Sequence, residues 1–258
     1  MNCRLCNSLI SNQFSEAELL GHKIKYFECA QCEYVQTEEP FWLDEAYASS
    51  INKSDTGIIA RNLSNVRLVL ATLTLIRKRT EKVVDYAGGH GFLVRLLRDK
   101  GIEALWSDRY SENLVARGFE YEKENASVVL VTAFEAFEHF VNPIDEMEKL
   151  LSISSNILLT TTLVPHPTPT PSDWWYYGLD HGQHIGFFRF NTLEHLAKEF
   201  HLNLISDGQS THFFSKERYP RYIWKSLILI SKITPYLFSA GLKSKTWNDN
   251  LQLKQQNN

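Results

Sequence analysis

Three glycines within four residues constrain this chain more than any other feature of its sequence. They end the run Val-Val-Asp-Tyr-Ala-Gly-Gly-His-Gly at residues 83–91. The valines favour a strand, and residues 92–100 have the pattern of a helix that Gly101 ends. Because glycine has no Cβ, such a strand–turn–helix unit lets a ligand approach the backbone beside a helix N-terminus. We therefore predict a ligand site at the carboxyl end of a parallel strand.

The spacing of the glycines indicates which ligand is bound. A dinucleotide fingerprint requires G-x-G-x-x-G, but Val94 occupies the third glycine position, which argues against NAD. A second acid, Asp108, follows a short apolar run at 104–107, twenty-three residues beyond Asp85. An acid at the end of the second strand is typical of a ribose contact, although a solvated aspartate at a strand end gives the same pattern.

The loop resembles the first motif of class I S-adenosylmethionine (SAM) methyltransferases, with Asp85, Ala87, Gly89 and Gly91 on the motif positions. Ala87 replaces the first glycine of that motif. The resemblance implies SAM as the cofactor. The residues that it makes candidate cofactor contacts are Asp85, Gly88, Gly89, Gly91, Asp108 and Glu135.

Strand and helix patterns alternate through the rest of the chain. We predict helices at 61–79, from Asn142 onwards, and after a capping box of Asn191 with Glu194. We predict strands at 127–132, 156–162, 202–206 and 210–214, the last two joined by Asp207-Gly208 as a hairpin. This order favours an α/β fold, a Rossmann-like doubly wound sheet with a C-terminal antiparallel hairpin.

All four cysteines lie within the first thirty-two residues, as two C-x-x-C pairs. Cys3, Cys6, Cys29 and Cys32 supply the four thiolates of a tetrahedral structural zinc site, and their separation is close to that of zinc ribbons. Disulfides are the competing interpretation, which the absence of an export signal disfavours. We expect zinc to fold an N-terminal segment too small for its own core.

Aromatic residues and histidines cluster after four alternating prolines at 165–171. Because Trp174 to Phe188 follows the predicted strand at 156–162, we interpret it as the acceptor site. Histidine can act as a general base, so the catalytic candidates are His184 first, His181 second, and then Tyr177. The alternative is a hydrophobic lid with structural histidines. Upstream, Glu138 and His139 are predicted to be a hydrogen-bonded pair at a helix start.

Three features stand together in this chain: the four-cysteine segment, Trp-Leu-Asp-Glu-Ala-Tyr at 42–47, and a W-W-Y-Y-G-x-x-H-G-Q-H block. With them, the sequence to about residue 215 resembles bacterial methyltransferases of surface-polysaccharide and nucleotide-sugar pathways. The resemblance places the Glu-His run at 138–139 beside the methionine end of the cofactor. It extends to deoxysugar C-methyltransferases, in which a Glu-His pair transfers protons. His184 falls on that histidine, but Gln183 replaces the glutamate, which argues against C-methylation.

Charge and hydropathy limit the kinds of partner that this chain is expected to bind. A net charge of -3 without basic clusters disfavours nucleic acid, and the absence of an N-terminal apolar run leads us to expect a cytoplasmic protein. Residues 219–242 are apolar but contain Lys225, Lys232 and Pro235, which argues against a membrane span. A packed helix, a dimer contact and an interfacial helix with peripheral membrane contact remain open there. We expect the polar residues 243–258 to fray.

We therefore expect four segments: a zinc ribbon at 1–40, a connector and helix at 41–80, a SAM-binding domain at 81–216 and a helical extension at 217–258. The predicted activity is SAM-dependent methyl transfer to a nucleotide-linked or lipid-linked sugar, with a histidine base and in-line alignment of the nucleophile. The alternatives are a non-catalytic regulatory or scaffold protein with a zinc ribbon, and a nucleic-acid methyltransferase. The sugar, the oligomeric state and O- versus C-transfer stay open.

Overall fold

A computed structural model describes residues 1–48, 55–123, 127–234 and 237–256. The polar part of the predicted connector, at 49–54, lies outside the described residues. The chain forms two compact units. The first comprises Met1–Asn52, Glu135–Lys149 and Leu159–Glu217, and the second comprises Lys53–Phe134, Leu150–Leu158 and Arg218–Asn258.

The helices and strands follow the alternation predicted from the sequence. The strands are β1 (Gln13–Leu19), β2 (His22–Glu28), β3 (Val35–Thr37), β4 (Lys82–Tyr86), β5 (Glu103–Ser107), β6 (Val128–Phe134), β7 (Asn156–Thr160), β8 (Gly186–Phe187), β9 (Asn203–Ser206) and β10 (Thr211–Ser215). The helices are α1 (Leu43–Ala46), α2 (Ile58–Leu75), α3 (Phe92–Asp99), α4 (Pro143–Ile153), α5 (Phe190–Glu199), α6 (Arg221–Ile233) and α7 (Thr246–Gln256). Short 3₁₀ turns lie at Phe137–His139, Trp175–Tyr177 and Leu237–Ser239.

The larger sheet has the strand order β5-β4-β6-β7-β10-β9. β4 pairs in parallel with β5 on one side and with β6 on the other, whereas β9 and β10 form an antiparallel pair. The predicted fold, a doubly wound α/β sheet that ends in an antiparallel hairpin, is confirmed. Because β4 leads through α3 to one neighbour and has β6 as the other, its carboxyl end is a topological switch point.

The first unit contains a second sheet, with the strand order β1-β2-β3-β8. β3 pairs with β8, so that Val35 lies opposite Phe187. The sheet covers a core in which Tyr26, Trp42 and Tyr177 are buried with Phe187. The N-terminal cysteine segment therefore completes its sheet with a strand from far along the chain.

Two local predictions are wrong. Helix α5 begins after Arg189, whose backbone N–H donates to the Thr192 hydroxyl at 3.0 Å, and Asn191 donates its side chain to Glu33 instead of capping the helix. The polar C-terminal segment does not fray over its described length, because α7 places Asp249 against two arginines. In both cases a partner from a distant part of the sequence overrides the local pattern.

Among the described helices, only α2 has the length and the apolar composition that a membrane-spanning helix needs. Its C-terminal half is buried, with Val69, Leu70 and Leu73 at most 1% exposed. Core helices of globular domains pass the same test of length and composition. We assign α2 to the core of the second unit.

The buried ion pair between Arg98 and Asp249 anchors α7. Arg98 is 3% exposed, and its Nε and Nη2 donate to the two Asp249 carboxylate oxygens at 2.8 and 2.7 Å. We expect Asp249→Asn to lower the free energy of unfolding by about 2 kcal/mol, because it removes one of the two carboxylates that pair with the buried Arg98 guanidinium and leaves only Glu103, at 2.7 Å from Nη1. Asp99→Asn, which removes an exposed partner of Arg95, is the matched control and should cost less than about 1 kcal/mol. Equal effects of the two substitutions in urea denaturation would contradict this assignment.

Candidate cofactor and acceptor sites

The glycine loop after β4 is held at Gly89 from two sides. The Gly89 N–H donates to Asp108 Oδ2 at 2.8 Å, and the Trp106 indole donates to the Gly89 carbonyl at 2.8 Å. Gly89 has φ +54°, and among the described residues, apart from its two chain neighbours, no heavy atom lies within 4 Å of the place that a Cβ would take. The loop therefore presents an open backbone surface at the carboxyl end of β4, as a ligand-binding turn requires.

The other two glycines are required by close packing. A Cβ on Gly88 would lie 2.8 Å from Asp85 Oδ2, and one on Gly91, which has φ +88°, would lie 2.8 Å from Asn113 Oδ1. Ala87, the departure from the glycine motif, also lies in the left-handed region, with φ +56°. This conformation is unfavourable for a residue that carries a Cβ.

Asp85 lies beneath the loop and is 4% exposed. Its Oδ1 accepts a hydrogen bond from the Thr132 hydroxyl at 2.7 Å. Burial raises the pKa of Asp85 to about 7; the Thr132 hydrogen bond acts against the rise and the charge of Asp108 adds to it. Asp85 therefore supports the loop from inside the second unit, and its role as a cofactor contact stays a prediction.

Asp108 is largely engaged by backbone donors. Its Oδ1 accepts the N–H groups of Tyr110 and Ser111 at 2.7 and 2.8 Å, in addition to the Gly89 N–H at Oδ2. A carboxylate offers about four acceptor positions, so about one remains, on Oδ2. This carboxylate can accept one further hydroxyl without disturbing the loop, and its contact with a ribose stays a prediction.

Glu135, the last candidate cofactor contact, belongs to the first unit. Its backbone has φ +49°, and its N–H donates to both the carbonyl and the hydroxyl of Thr160 at 3.1 Å. The turn after β6 is thus fixed by β7. Its contact with the cofactor stays a prediction.

The four cysteines converge within the first unit. The Sγ atoms of Cys3 and Cys32 lie 3.6 Å apart, those of Cys6 and Cys29 lie 3.5 Å apart, and all four lie within 4.8 Å of one another. A disulfide needs about 2.05 Å between sulfurs, so none is formed. Sulfurs that each lie about 2.3 Å from a tetrahedral zinc ion would be separated by nearly the observed distances, so the donor set fits zinc.

The two cysteine pairs have the same backbone shape. Asn7 donates its N–H to the Cys3 carbonyl and Glu33 donates to the Cys29 carbonyl, at 2.9 and 2.8 Å. Asn7 and Glu33 have φ +59° and +58°, each one residue beyond its C-x-x-C pair. Such matching turns direct both thiols of each pair to one point, which is what a shared metal site needs.

The hydrogen bonds of His184 and His181 assign different tautomers to the two catalytic candidates. His184 Nδ1 lies 2.6 Å from the Tyr176 carbonyl, which can only accept, so Nδ1 carries the proton and Nε2 keeps its lone pair. His181 Nδ1 accepts the Gln183 N–H at 3.1 Å, so the proton of neutral His181 lies on Nε2. His184 can therefore act as a base at Nε2, whereas neutral His181 is a donor there.

A third histidine joins the cluster. The His139 ring packs edge-on against His184, with 4.8 Å between the ring centroids, and His181 lies at the same distance from His184. His139 Nδ1 lies 3.1 Å from the Gln183 carbonyl and 2.9 Å from the Tyr47 hydroxyl. Burial lowers the pKa of all three histidines, that of His139 well below its ordinary value, so the neutral forms are favoured at pH 7.

Glu138 and His139 do not bond to each other as predicted. The Glu138 carboxyl is fully buried and accepts the Tyr176 hydroxyl at 2.6 Å, and burial raises its pKa to about 7. Tyr177 is also fully buried, and its hydroxyl donates to the Pro169 carbonyl at 3.0 Å. Tyr176 thus binds Glu138 through its hydroxyl and His184 through its carbonyl. The catalytic role of Tyr177 stays a prediction.

A cleft of about 620 Å³ opens elsewhere in the first unit. Its lining includes Trp174, His166, Arg189, Asn191 and Gln209, which combine an aromatic face with hydrogen-bonding groups. Its volume lies within the range of small-molecule sites.

Sequence reasoning missed four residues that shape these sites: Trp106, Thr132, Tyr47 and Tyr176 as a hydrogen-bond donor. Thr132 pairs directly with Asp85 across the parallel strands β4 and β6. Its place at the end of a buried apolar strand was a readable signal for a polar residue at the switch point. Tyr47 gave no such signal, because its partner His139 lies 92 residues away.

The family described as "Methyltransferase domain" matches residues 59–207, more than half of the chain. The chain belongs to this family. The predicted enzyme class, an S-adenosylmethionine-dependent methyltransferase, is confirmed for this domain. No curated protein matches the sequence.

Several solved structures resemble parts of this chain at low identity. TnmH has 15% identity and a TM-score of 0.48, over 69% of this chain and 62% of that chain. Monomeric WbdD has 15% identity and a TM-score of 0.37, over 61% of this chain and 41% of that chain. CalO1, a methyltransferase in calicheamicin biosynthesis in its SAH-bound form, has 14% identity and a TM-score of 0.40, over 60% of this chain and 54% of that chain. The chain thus spans less than two thirds of each of these proteins.

The left-handed backbone at Ala87 generates a prediction. We expect Ala87→Gly to raise the free energy of unfolding by about 0.5–1 kcal/mol, because glycine relieves the strain but loses more entropy on folding. Ala60→Gly, at an exposed position of α2, is the control and should lower stability by up to about 1 kcal/mol. Destabilisation by both substitutions in thermal unfolding would show that Ala87 is not strained.

Proposed function

We propose that this protein transfers the methyl group of SAM to a hydroxyl group of a sugar. The cofactor's contribution when bound is a methyl group made electrophilic by its sulfonium. We propose that the cofactor binds to the open backbone at Gly89 and to the remaining acceptor position of Asp108. Asp85 would support the loop from below. One observation carries the choice of base: the Tyr176 carbonyl fixes the proton of His184 on Nδ1.

His184 would take the proton of the acceptor hydroxyl at Nε2 as that oxygen gains the methyl group, and the bond from the methyl carbon to the sulfonium sulfur would break to leave a neutral thioether. A base contributes most when it is unprotonated at the working pH. Burial lowers the pKa of His184, which favours that form near neutrality. His181, with its proton on Nε2, is better suited to donate a hydrogen bond to the substrate.

Sugar is proposed as the acceptor because of the aromatic and polar character of the segment from Trp174 to Arg189. Aromatic faces pack on the apolar faces of sugar rings, and imidazole and amide groups bond to hydroxyls. Trp175 is 77% exposed, which suits such a contact. O-transfer is favoured over C-transfer because Gln183, in place of a glutamate, donates its amide to the Ala46 carbonyl at 2.8 Å.

Removal of the base tests this function. We expect His184→Ala to lower methyl transfer to a panel of nucleotide-linked hexoses and 6-deoxyhexoses by about 100-fold or more, with SAM binding retained. His201→Asn, at an exposed histidine with φ +53°, is the control and should leave transfer unchanged. Mass spectrometry of the sugar product measures each variant. Transfer by His184→Ala at the wild-type rate would remove His184 from the mechanism.

The pH profile adds a second readout. Because the pKa of His184 lies below its ordinary value, wild-type kcat/KM should stay level as the pH falls to about 6.5 and decline only below it. This decline should be absent from the residual activity of His184→Ala.

We also propose that the four cysteines bind a structural zinc ion. Metal analysis of the purified chain should find about one equivalent of zinc, and Cys6→Ser should lose it together with several kcal/mol of stability. Ser8→Ala is the control, because the Ser8 hydroxyl lies 3.3 Å from Cys6 Sγ without being one of the proposed metal ligands. Full stability of the metal-free protein would contradict a structural zinc.

A further inference from the structure

Helix α6 of the second unit carries an exposed apolar stripe that the proposed reaction does not use. Tyr222 is 72% exposed, Leu229 59% and Ile233 73%, and Leu237 beyond the helix is 58% exposed. The spacings of seven and four residues place the first three on one side of a helix with 3.6 residues per turn. A stripe of large apolar side chains facing solvent usually marks a contact surface.

The opposite side of α6 faces the core of its own unit. Trp224 is fully buried and donates its indole N–H to the Thr72 hydroxyl at 3.2 Å, and Ser231 is 1% exposed. With 100° per residue, these two positions lie nearly opposite Tyr222, Leu229 and Ile233. The helix is thus fixed by its inner face and presents its outer face rigidly.

The charge of the helix indicates what covers this face. Arg221, Lys225 and Lys232 are all exposed and lie along one flank of the apolar stripe. Neither α6 nor α2, against which it packs, contains an acidic residue, and from 218 to 248 the sequence has six basic residues and none that is acidic. An apolar face flanked by cations is the pattern of helices that lie in the interface of anionic membranes.

A second copy of the chain fits this face less well. A two-fold contact between antiparallel α6 helices would place the cationic flanks of both copies on the same side, and like charges in an interface disfavour binding. We infer that α6 docks this protein on an anionic lipid surface. The Tyr222–Leu229–Ile233 stripe would enter the acyl boundary while Arg221, Lys225 and Lys232 contact lipid phosphates.

Vesicle co-sedimentation of the full chain tests this inference independently of methyl transfer. We expect binding to mixed phosphatidylcholine–phosphatidylglycerol vesicles, weakened by salt, and little binding to pure phosphatidylcholine. The double variant Leu229→Ser, Ile233→Ser should bind at least tenfold more weakly, and Lys225→Gln and Lys232→Gln about fivefold more weakly each.

Controls of the same chemistry lie in the first unit. Leu9→Ser, at a leucine that is 81% exposed, and Lys23→Gln, at an exposed lysine of β2, should bind like the wild type. Unchanged melting temperatures would show that the α6 variants are folded. Equal binding to both kinds of vesicle, or unchanged binding by the double variant, would overturn the inference. A dimer that the double variant abolishes, without vesicle binding by the wild type, would also overturn it and assign the face to a second copy.

Discussion

The carboxylate of Asp108 fixes the conformation of the glycine loop, which is the proposed cofactor site. It binds the Gly89 N–H at 2.8 Å and the N–H groups of Tyr110 and Ser111, and so ties the glycine loop after β4 to the end of β5. The Trp106 indole donates to the Gly89 carbonyl and so holds the next peptide of the same loop. Since Asp108 and Trp106 come from the strand next to β4, the parallel pairing of β4 with β5 shapes the loop before any ligand arrives. A loop ordered in this way loses little entropy on binding.

In the first unit, as at Asp108, hydrogen bonds with the backbone fix the polar side chains. The proton of His184 is placed by a carbonyl, that of His181 by an N–H, and Gly186, two residues beyond His184, is held in β8 by pairing with β3. A sheet that contains the cysteine segment therefore supports the segment that carries the proposed base. A zinc ion among the cysteines would act on this histidine segment through β3, as a structural support.

The sequence predicted what is local and could not predict what pairs distant residues. The glycine spacing, the buried strand at β6 and the hairpin of β9 and β10 were readable because each depends on a short run of residues. The bond of Thr132 to Asp85 depends on strand register, and that of Tyr47 to His139 on the fold of the whole first unit. The capping of α5 was misread because Asn191 has a tertiary partner in Glu33, and α7 was misread because Asp249 meets Arg98 across 151 residues. Polar residues reveal their role only when their partners are known.

We infer that the loop fixed by Asp108 binds SAM. Calorimetric titration of the full chain with S-adenosylmethionine and, separately, with NAD tests it most directly, with Asp108→Ala as the variant. We expect saturable binding of S-adenosylmethionine, weakened about 10- to 100-fold in the variant by the loss of charged hydrogen bonds, and no binding of NAD. Binding of NAD, or equal affinity of wild type and Asp108→Ala for S-adenosylmethionine, would contradict it.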